Sequence, residues 1–371
     1  MLSVSLLASL FLQKTLEAPP ANFKFLPRHQ NKDGSWGARP KGCACEDPCE
    51  SLREAPDPEK IAALVRQLGD DNPEARDSVE YALRKLGEPA LAALRRGSES
   101  ADAEVRARCE RLRGAIPSNF KGVSDVETTS LVLLTYLGAG YTHLSRDSYG
   151  AGDAVKRGLQ WLVAQQDTDG TFDDKDSAAN AVAALALTET YGMTASPSCK
   201  EPAQRAVAAV ERMDSNEPRD LAWKSLVLVS ARLSELDGDH TGRAQRVAQA
   251  LEGHSSILAQ AARARLLFVF KKENDRSFVK AAARSPAKEM DSETRLFVTL
   301  ALHSLEGEEG RCWSVWNTGL HEVIFRAEGG DRCERGSWEG EGLRGRLRAT
   351  ALNSLAAMIY FRYTNSLAGA K

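Results

Sequence analysis

The sequence predicts an all-α protein with two layers of helices, and three observations predict it. Apolar residues recur at helical spacing from Asp57 to the C-terminus, with no run of alternating β-branched residues long enough to demand a sheet. Alanine-rich helices nearly free of charge, such as Asn180 to Leu187, read as shielded on most of their circumference. They alternate with helices charged on one face, such as Gln204 to Arg212, so inner and outer helices form concentric layers.

Composition agrees with a folded chain. The 371 residues carry 49 Lys+Arg against 51 Asp+Glu, with 42% hydrophobic and 6% aromatic residues, which excludes disorder, collagen and a polytopic membrane protein. A net charge of -2, with no basic stripe interleaved with aromatics, argues against a nucleic-acid partner. Residues Met1 to Leu12 are apolar, but no Lys or Arg precedes Lys14, and the stretch is too short to span a bilayer. The cytoplasm is therefore the expected compartment. Export or membrane association through residues 1–12 is the alternative, as is an outer helix there.

The elements follow in order. Residues 1–20 are an apolar N-terminal segment, and 21–50 hold a first helical repeat with a cysteine-containing loop. From 57 to 116 short amphipathic helices alternate with turns. Ile61, Leu64, Val65 and Leu68 lie on one helical face, Gly69 to Pro73 breaks it, and Val79, Ala82, Leu83 and Leu86 resume it. Gly87 to Pro89 and Ser98 to Asp102 punctuate a second pair carrying Leu91, Leu94, Val105, Cys109 and Leu112. This spacing is that of one to two HEAT-type hairpins. Residues 120–371 hold the remaining helices: Thr129 to Leu137, Ala154 to Gln165, Ala178 to Thr190, Ala203 to Met213, Leu221 to Leu233 and Thr294 to Leu305.

A turn device recurs between them. Gln165 ends a helix, Asp169-Gly170 makes a tight turn, and Phe172 is placed to pack on the junction. Gln30, Gly34 and Trp36 repeat the arrangement, and Trp313, Trp316, Gly336 and Trp338 form a degenerate third copy. These copies resemble the QW-type repeats of the terpenoid cyclase and prenyltransferase superfamily. Asp125 to His143, Ala184 to Thr194, Ala222 to Ala231 and Ala349 to Tyr363 look like a bacterial branch of prenyltransferase/squalene oxidase repeat proteins with no settled activity. The resemblance covers residues 20–37 and 120–365. It implies an α/α toroid, two concentric rings of helices, into which the 57–116 module is inserted.

Catalytic groups of that superfamily are poorly matched. A cyclase of this type uses an Asp-x-Asp-Asp acid; here Asp174 and Asp176 supply two acids, Ser177 stands third, and Lys175 favours ionised carboxylates. The plainer reading makes Asp176 or Ser177 the cap of the helix that follows. None of the prenyltransferase zinc ligands is found in the family's positions. Arg344, Arg346 and Arg348 could hold a diphosphate or another anion, or form a solvated rim. Cys43, Cys45 and Cys49 could bind zinc with His29, but their spacing is not that of a ribbon or finger, and reduced or paired cysteines in a loop are the alternative. Cys312 and Cys333 could pair only in an oxidising compartment. The six histidines form no triad or HExxH pattern, and no Gly-rich phosphate loop is present.

The sequence therefore leads to a non-catalytic binding or scaffolding protein with no cofactor and a protein partner. The alternative is an isoprenoid-binding protein, or a divergent cyclase using Asp174 and Asp176, with an apolar ligand in the central cavity.

Overall fold

The computed structural model describes residues 22–37, 58–86, 90–115, 124–147, 150–172, 176–324, 335–338, 340 and 342–359. All regular structure among these is helical. The chain divides into two compact units: one draws on Met1–Gln30, Gly34–Ser51 and Asp125–Lys371, the other on Asn31–Asp33 and Leu52–Ser124.

The larger unit begins with α1 (Asn22–Arg28). The smaller unit consists of α2 (Pro58–Gln67), α3 (Pro73–Leu86), α4 (Leu91–Gly97) and α5 (Ala103–Ala115). Its helices form two hairpins, α2 with α3 and α4 with α5, and the hairpins stack α2 on α4 and α3 on α5. Ile61, Val65, Leu68, Val79, Leu83, Leu94, Val105, Cys109 and Leu112 are buried in one core, which accounts for their helical spacing. The two hairpin turns share a device that the sequence conceals. Arg76 donates back to the carbonyls of Asp70 (2.6 Å) and Asp71 (3.3 Å), and Arg106 donates to those of Ser100 (2.6 Å) and Ala101 (2.9 Å). Each arginine thereby satisfies carbonyls of the turn ahead of its own helix. Between α3 and α5, Glu80 accepts from both Arg108 (3.0 Å) and Arg111 (2.7 Å).

The larger unit continues with α6 (Asp125–Gly138), α7 (Ala151–Gln165), α8 (Ser177–Thr194), α9 (Pro197–Arg212), α10 (Pro218–Leu233) and α11 (His240–Glu252). It ends with α12 (Ile257–Lys271), α13 (Arg276–Arg284), α14 (Ser292–Glu306), α15 (Arg311–Ile324) and α16 (Gly342–Ala357). Caps set many starts: Asp176, Asp239, Ser256, Asp275 and Asp291 each accept a backbone N–H from the first turn, and Pro197 and Pro218 open α9 and α10.

The even-numbered helices form a closed circuit: α6 packs on α8, α8 on α10, α10 on α12, α12 on α14, α14 on α16, and α16 returns to α6. In α6 every residue from Val126 to Gly138 is buried, and in α8 every residue from Ala178 to Thr188. The near absence of charge, Glu127 apart, is thus explained by neighbours on every side. The odd-numbered helices lie against this circuit: α7 on α6, α9 on α8 and α10, α11 on α10 and α12, α13 on α12 and α14, α15 on α14 and α16. These carry the one-sided charge. Helix α12 occupies the stretch between α10 and α14.

The repeated turn joins successive outer helices. Gln30 donates to the carbonyls of Gly34 (2.9 Å) and Ala154 (2.8 Å), while Arg157 donates to its amide oxygen (2.6 Å). In the second copy the same bonds belong to Gln166, not Gln165. Gln166 donates to Gly170 (3.3 Å) and Pro202 (3.0 Å) and accepts from Arg205 (2.9 Å). The expectation for Gln165 was one residue out of register, because the bond to the glycine carbonyl requires a separation of four, as from Gln30 to Gly34. Each copy then passes its aromatic to the next inner helix: the amides of Trp36, Phe172 and Trp338 donate to Thr129 (2.8 Å), Asn180 (2.7 Å) and Thr350 (3.1 Å). Trp313 and Trp316 sit buried on α15, with Trp316 Nε1 donating to Thr299 on α14 (3.1 Å).

Gly170 and Gly336 have φ of +92° and +85°, and Gly34 has +97°. A Cβ on Gly170 would lie 2.3 Å from the Arg205 carbonyl oxygen, whereas one on Gly140, at φ +87°, would meet nothing within 4 Å. Gly170→Ala should therefore cost about 1–3 kcal/mol of backbone strain plus a collision, and Gly140→Ala the strain alone. Urea denaturation of the two variants checks this: the loss at Gly170 is expected to exceed that at Gly140 clearly.

Candidate functional site

The first turns of the inner helices bring charge into an otherwise apolar layer. Glu127 near the start of α6 and Glu293 near the start of α14 are buried, Glu127 to 1% exposure. Arg219, the second residue of α10, reaches both, at 2.6 Å from Glu127 and 3.1 Å from each Glu293 oxygen. Arg348 on α16 reaches both as well, at 2.9 Å from each. Trp223, one turn beyond Arg219, donates its indole N–H to Glu293 (2.6 Å), and its ring meets Phe297 edge-on. Asp176 at the start of α8 lies 3.7 Å from Arg219. Among the described residues, five of the six circuit helices therefore meet at one end, including α6 and α10, which are not neighbours in the circuit.

Electrostatics fixes the state of this cluster. Two carboxylates face two guanidiniums, so the buried charge is balanced, as burial requires. The carboxylates also sit in first turns, where the positive ends of α6 and α14 favour anions. Burial opposes the charge on Arg219, but Glu127 and Glu293 outweigh it and raise its pKa above the ordinary guanidinium value. Arg348 follows the same pattern, burial first opposing and then Glu293 and Glu127 raising. The arrangement holds helix ends together, and its acids are ion-paired rather than set up as proton donors.

The sequence-predicted candidates fall around this cluster. Asp176 caps α8, its carboxylate accepting from the amide of Ala179 (2.9 Å), which is the plainer of the two roles expected for it. Asp174 lies outside the described residues, as do Cys43, Cys45 and Cys49. The three arginines are engaged by groups of the chain itself: Arg344 with Asp125 (2.6 Å), Arg346 with the Ser337 hydroxyl (2.9 Å), and Arg348 with Glu127 and Glu293. Arg344 is only 7% exposed, so the expectation of a solvated rim does not describe it. The acids that engage Arg344 and Arg348 are buried or half-buried and lie at the start of α6 and α14. Among the described residues no group of His, Cys, Asp and Glu is arranged to hold a metal, and no helix is long and apolar enough to cross a membrane. Cys109, Cys199 and Cys312 are free thiols; Cys333 lies outside the described residues. Burial pushes the Cys109 thiol up to about 11.

Sequence reasoning missed Glu127, Glu293, Arg219 and Trp223. One partial signal was available: after Asp125, Glu127 is the one charge in a helix that reads as shielded, and a buried Glu must be paired, although nothing local names its partner.

A second feature lies toward the other ends of α8, α10 and α12. Leu185, Glu189 and Met193 from α8, Leu226, Val229 and Leu233 from α10, and Arg265 from α12 line a cleft of about 200 Å³. Ser234 closes one side, donating to the Thr188 carbonyl (3.2 Å); it approaches so closely that a Cβ on Gly192 would lie 2.3 Å from its hydroxyl.

Comparisons with protein family models, with curated proteins and with solved structures find no match for this chain.

Proposed function

We propose that this chain is a non-catalytic binding or scaffolding protein built on an α/α toroid like that of the terpenoid cyclases and prenyltransferases, with a HEAT-like module inserted after the first repeat. Support for the toroid comes from the closed circuit of inner helices, the outer helices laid against it, and the glutamine turns that tie one outer helix to the next. Support for the HEAT-like module comes from its two stacked hairpins with matched arginine turns.

The observation that carries the non-catalytic reading is the cluster of Glu127, Glu293, Arg219 and Arg348 beside Asp176. Protonating an alkene or epoxide needs a carboxylic acid kept neutral in a dry site. Here the acids at the inner-helix mouth face guanidiniums instead, and Asp176 spends its carboxylate on a helix cap. The partner in this reading is a protein, engaged by the toroid rim and the helical insert.

The test is incubation of the full chain with squalene and with C15 and C20 isoprenoid diphosphates, followed by solvent extraction and mass spectrometry, beside Asp176→Asn. The expected result is no product and no stoichiometric isoprenoid, with Asp176→Asn folding nearly as well as the parent because Asn also caps. A product whose formation Asp176→Asn abolishes would establish the alternative, a divergent cyclase.

A further inference from the structure

We infer that the end of the inner circuit formed by the C-termini of α8, α10 and α12 is the interface with a second copy of this chain, in which Leu233 and Met193 are covered and Glu235 of each copy faces Lys272 of the other. The inference deepens the binding reading by naming the partner of one face, and it rests on that reading only in treating the face as one that binds protein.

Two independent observations mark this end, and the first is apolar exposure. Leu144 beyond α6, Met193 on α8 and Leu233 on α10 are 61%, 47% and 46% exposed, three of the four large apolar side chains that the larger unit exposes among its described residues. Their helices are consecutive in the circuit and start together at the charged cluster, so the three side chains lie at the opposite end. Apolar exposure gathered in one place, unlike single exposed residues, marks a contact surface.

The second observation is backbone conformation. Helix α6 ends with Gly140 at φ +87°, its amide donating to the Leu137 carbonyl (2.9 Å) and the next amide, of Tyr141, to that of Tyr136 (2.9 Å). Helix α10 ends with the same pair of bonds, Glu235 to Arg232 (3.3 Å) and Leu236 to Ala231 (3.0 Å), but Glu235 stands in the glycine's place at φ +53°. Ala195 closes α8 at φ +51°, and Lys272 closes α12 at φ +59°. Among the described residues these three are the only non-glycines with positive φ, and they stand on three successive helices of the circuit. Left-handed backbone costs a side chain stability that glycine would keep, and such positions gather where the side chain has a use.

Charge selects the partner. Glu235 and Lys272 are exposed, and among the described residues neither is held in an ion pair. Arg232 at the end of α10 lies over the Phe270 ring of α12 (4.8 Å), which brings the two helix ends together, so an acid and a base share one surface beside Leu233. A surface carrying both signs is complementary to its own copy turned about a two-fold axis. With the axis between the ends of α10 and α12, each Glu235 meets the other copy's Lys272, and two pairs form at once. A partner of one sign would match only one of the two charges.

Sedimentation equilibrium of the full chain tests the inference, with the helix content of every variant checked by circular dichroism. The parent is expected to dimerise. Leu233→Glu, at an exposed position, should raise the dimer dissociation constant about tenfold or more by burying a charge in the contact. Glu235→Lys and Lys272→Glu should each do the same by setting like charges together. The double variant exchanges the signs and re-forms both pairs, so it should return to within about threefold of the parent. A parent that stays monomeric at millimolar chain would overturn the inference and leave the surface to a different protein. A dimer indifferent to folded Leu233→Glu, or single exchanges that the double variant does not rescue, would overturn it as well. Isoprenoid turnover would overturn the proposed function and leave the dimer standing, while a monomeric chain without turnover would do the reverse.

Discussion

Arg219→Met is expected to destabilise the larger unit by about 3 kcal/mol, the low end of the range for breaking a buried pair, since Arg219 keeps a third of its side chain in solvent. The loss arises less from the missing contacts than from what stays behind. Glu127 and Glu293 would share only Arg348, leaving one buried carboxylate in excess. Charge counting makes a second, sharper claim. Adding Glu127→Met removes that excess, so the double variant should recover most of the loss, because apolar replacement of a whole buried pair is often nearly neutral. Urea unfolding of the parent, both single variants and the double variant measures the coupling. Losses that simply add would show that the cluster does not act as a unit.

Trp36→Ala should cost about 3–5 kcal/mol, the range for removing a large buried aromatic. Trp36 is fully buried, its indole N–H donates to the Leu26 carbonyl (2.7 Å), and its backbone ties the first glutamine turn to α6 through Thr129. Its ring also lies 5.9 Å from that of Tyr136. Trp36→Phe keeps most of the volume and leaves the Leu26 carbonyl its bond from the His29 amide (3.1 Å), so only the net loss of one hydrogen bond, about 0.5–1.5 kcal/mol, is expected. Thermal unfolding with a probe in the larger unit reads both. A small effect from Trp36→Ala would mean that the segment from α1 to Trp36 is an appendage rather than a packed part of the larger unit.

Much of the fold was legible because periodicity reports burial directly. Asn180 to Leu187 is free of charge since α8 is covered by α6, α9 and α10, whereas in Gln204 to Arg212 the charges of Arg205 and Arg212 lie toward solvent and Glu211 pairs with Arg243 of α11. The hairpins between 57 and 116 were legible for the same reason, together with their Gly and Pro breaks. The glutamine turn was legible as a motif but not in register, because two adjacent glutamines, Gln165 and Gln166, offer the same chemistry and only the bond to Gly170 separates them. The charged cluster was hidden by distance. Glu127 and Arg219 meet at 2.6 Å although 92 residues separate them, and no local pattern announces such a pair. Arg348 was seen, but its carboxylate partners were not, so it read as an anion site or a rim when it is an internal counter-charge.

The most direct test of the account is the protonation state of the acids at the inner-helix mouth, read by isotope-edited infrared spectroscopy of the parent, Glu127→Gln and Glu293→Gln at neutral pH. The account predicts carboxylate bands lost in each variant and no protonated buried carboxyl in the parent. A protonated carboxyl signal that disappears in either variant would contradict it, because a neutral acid at that mouth is what proton-donating chemistry requires.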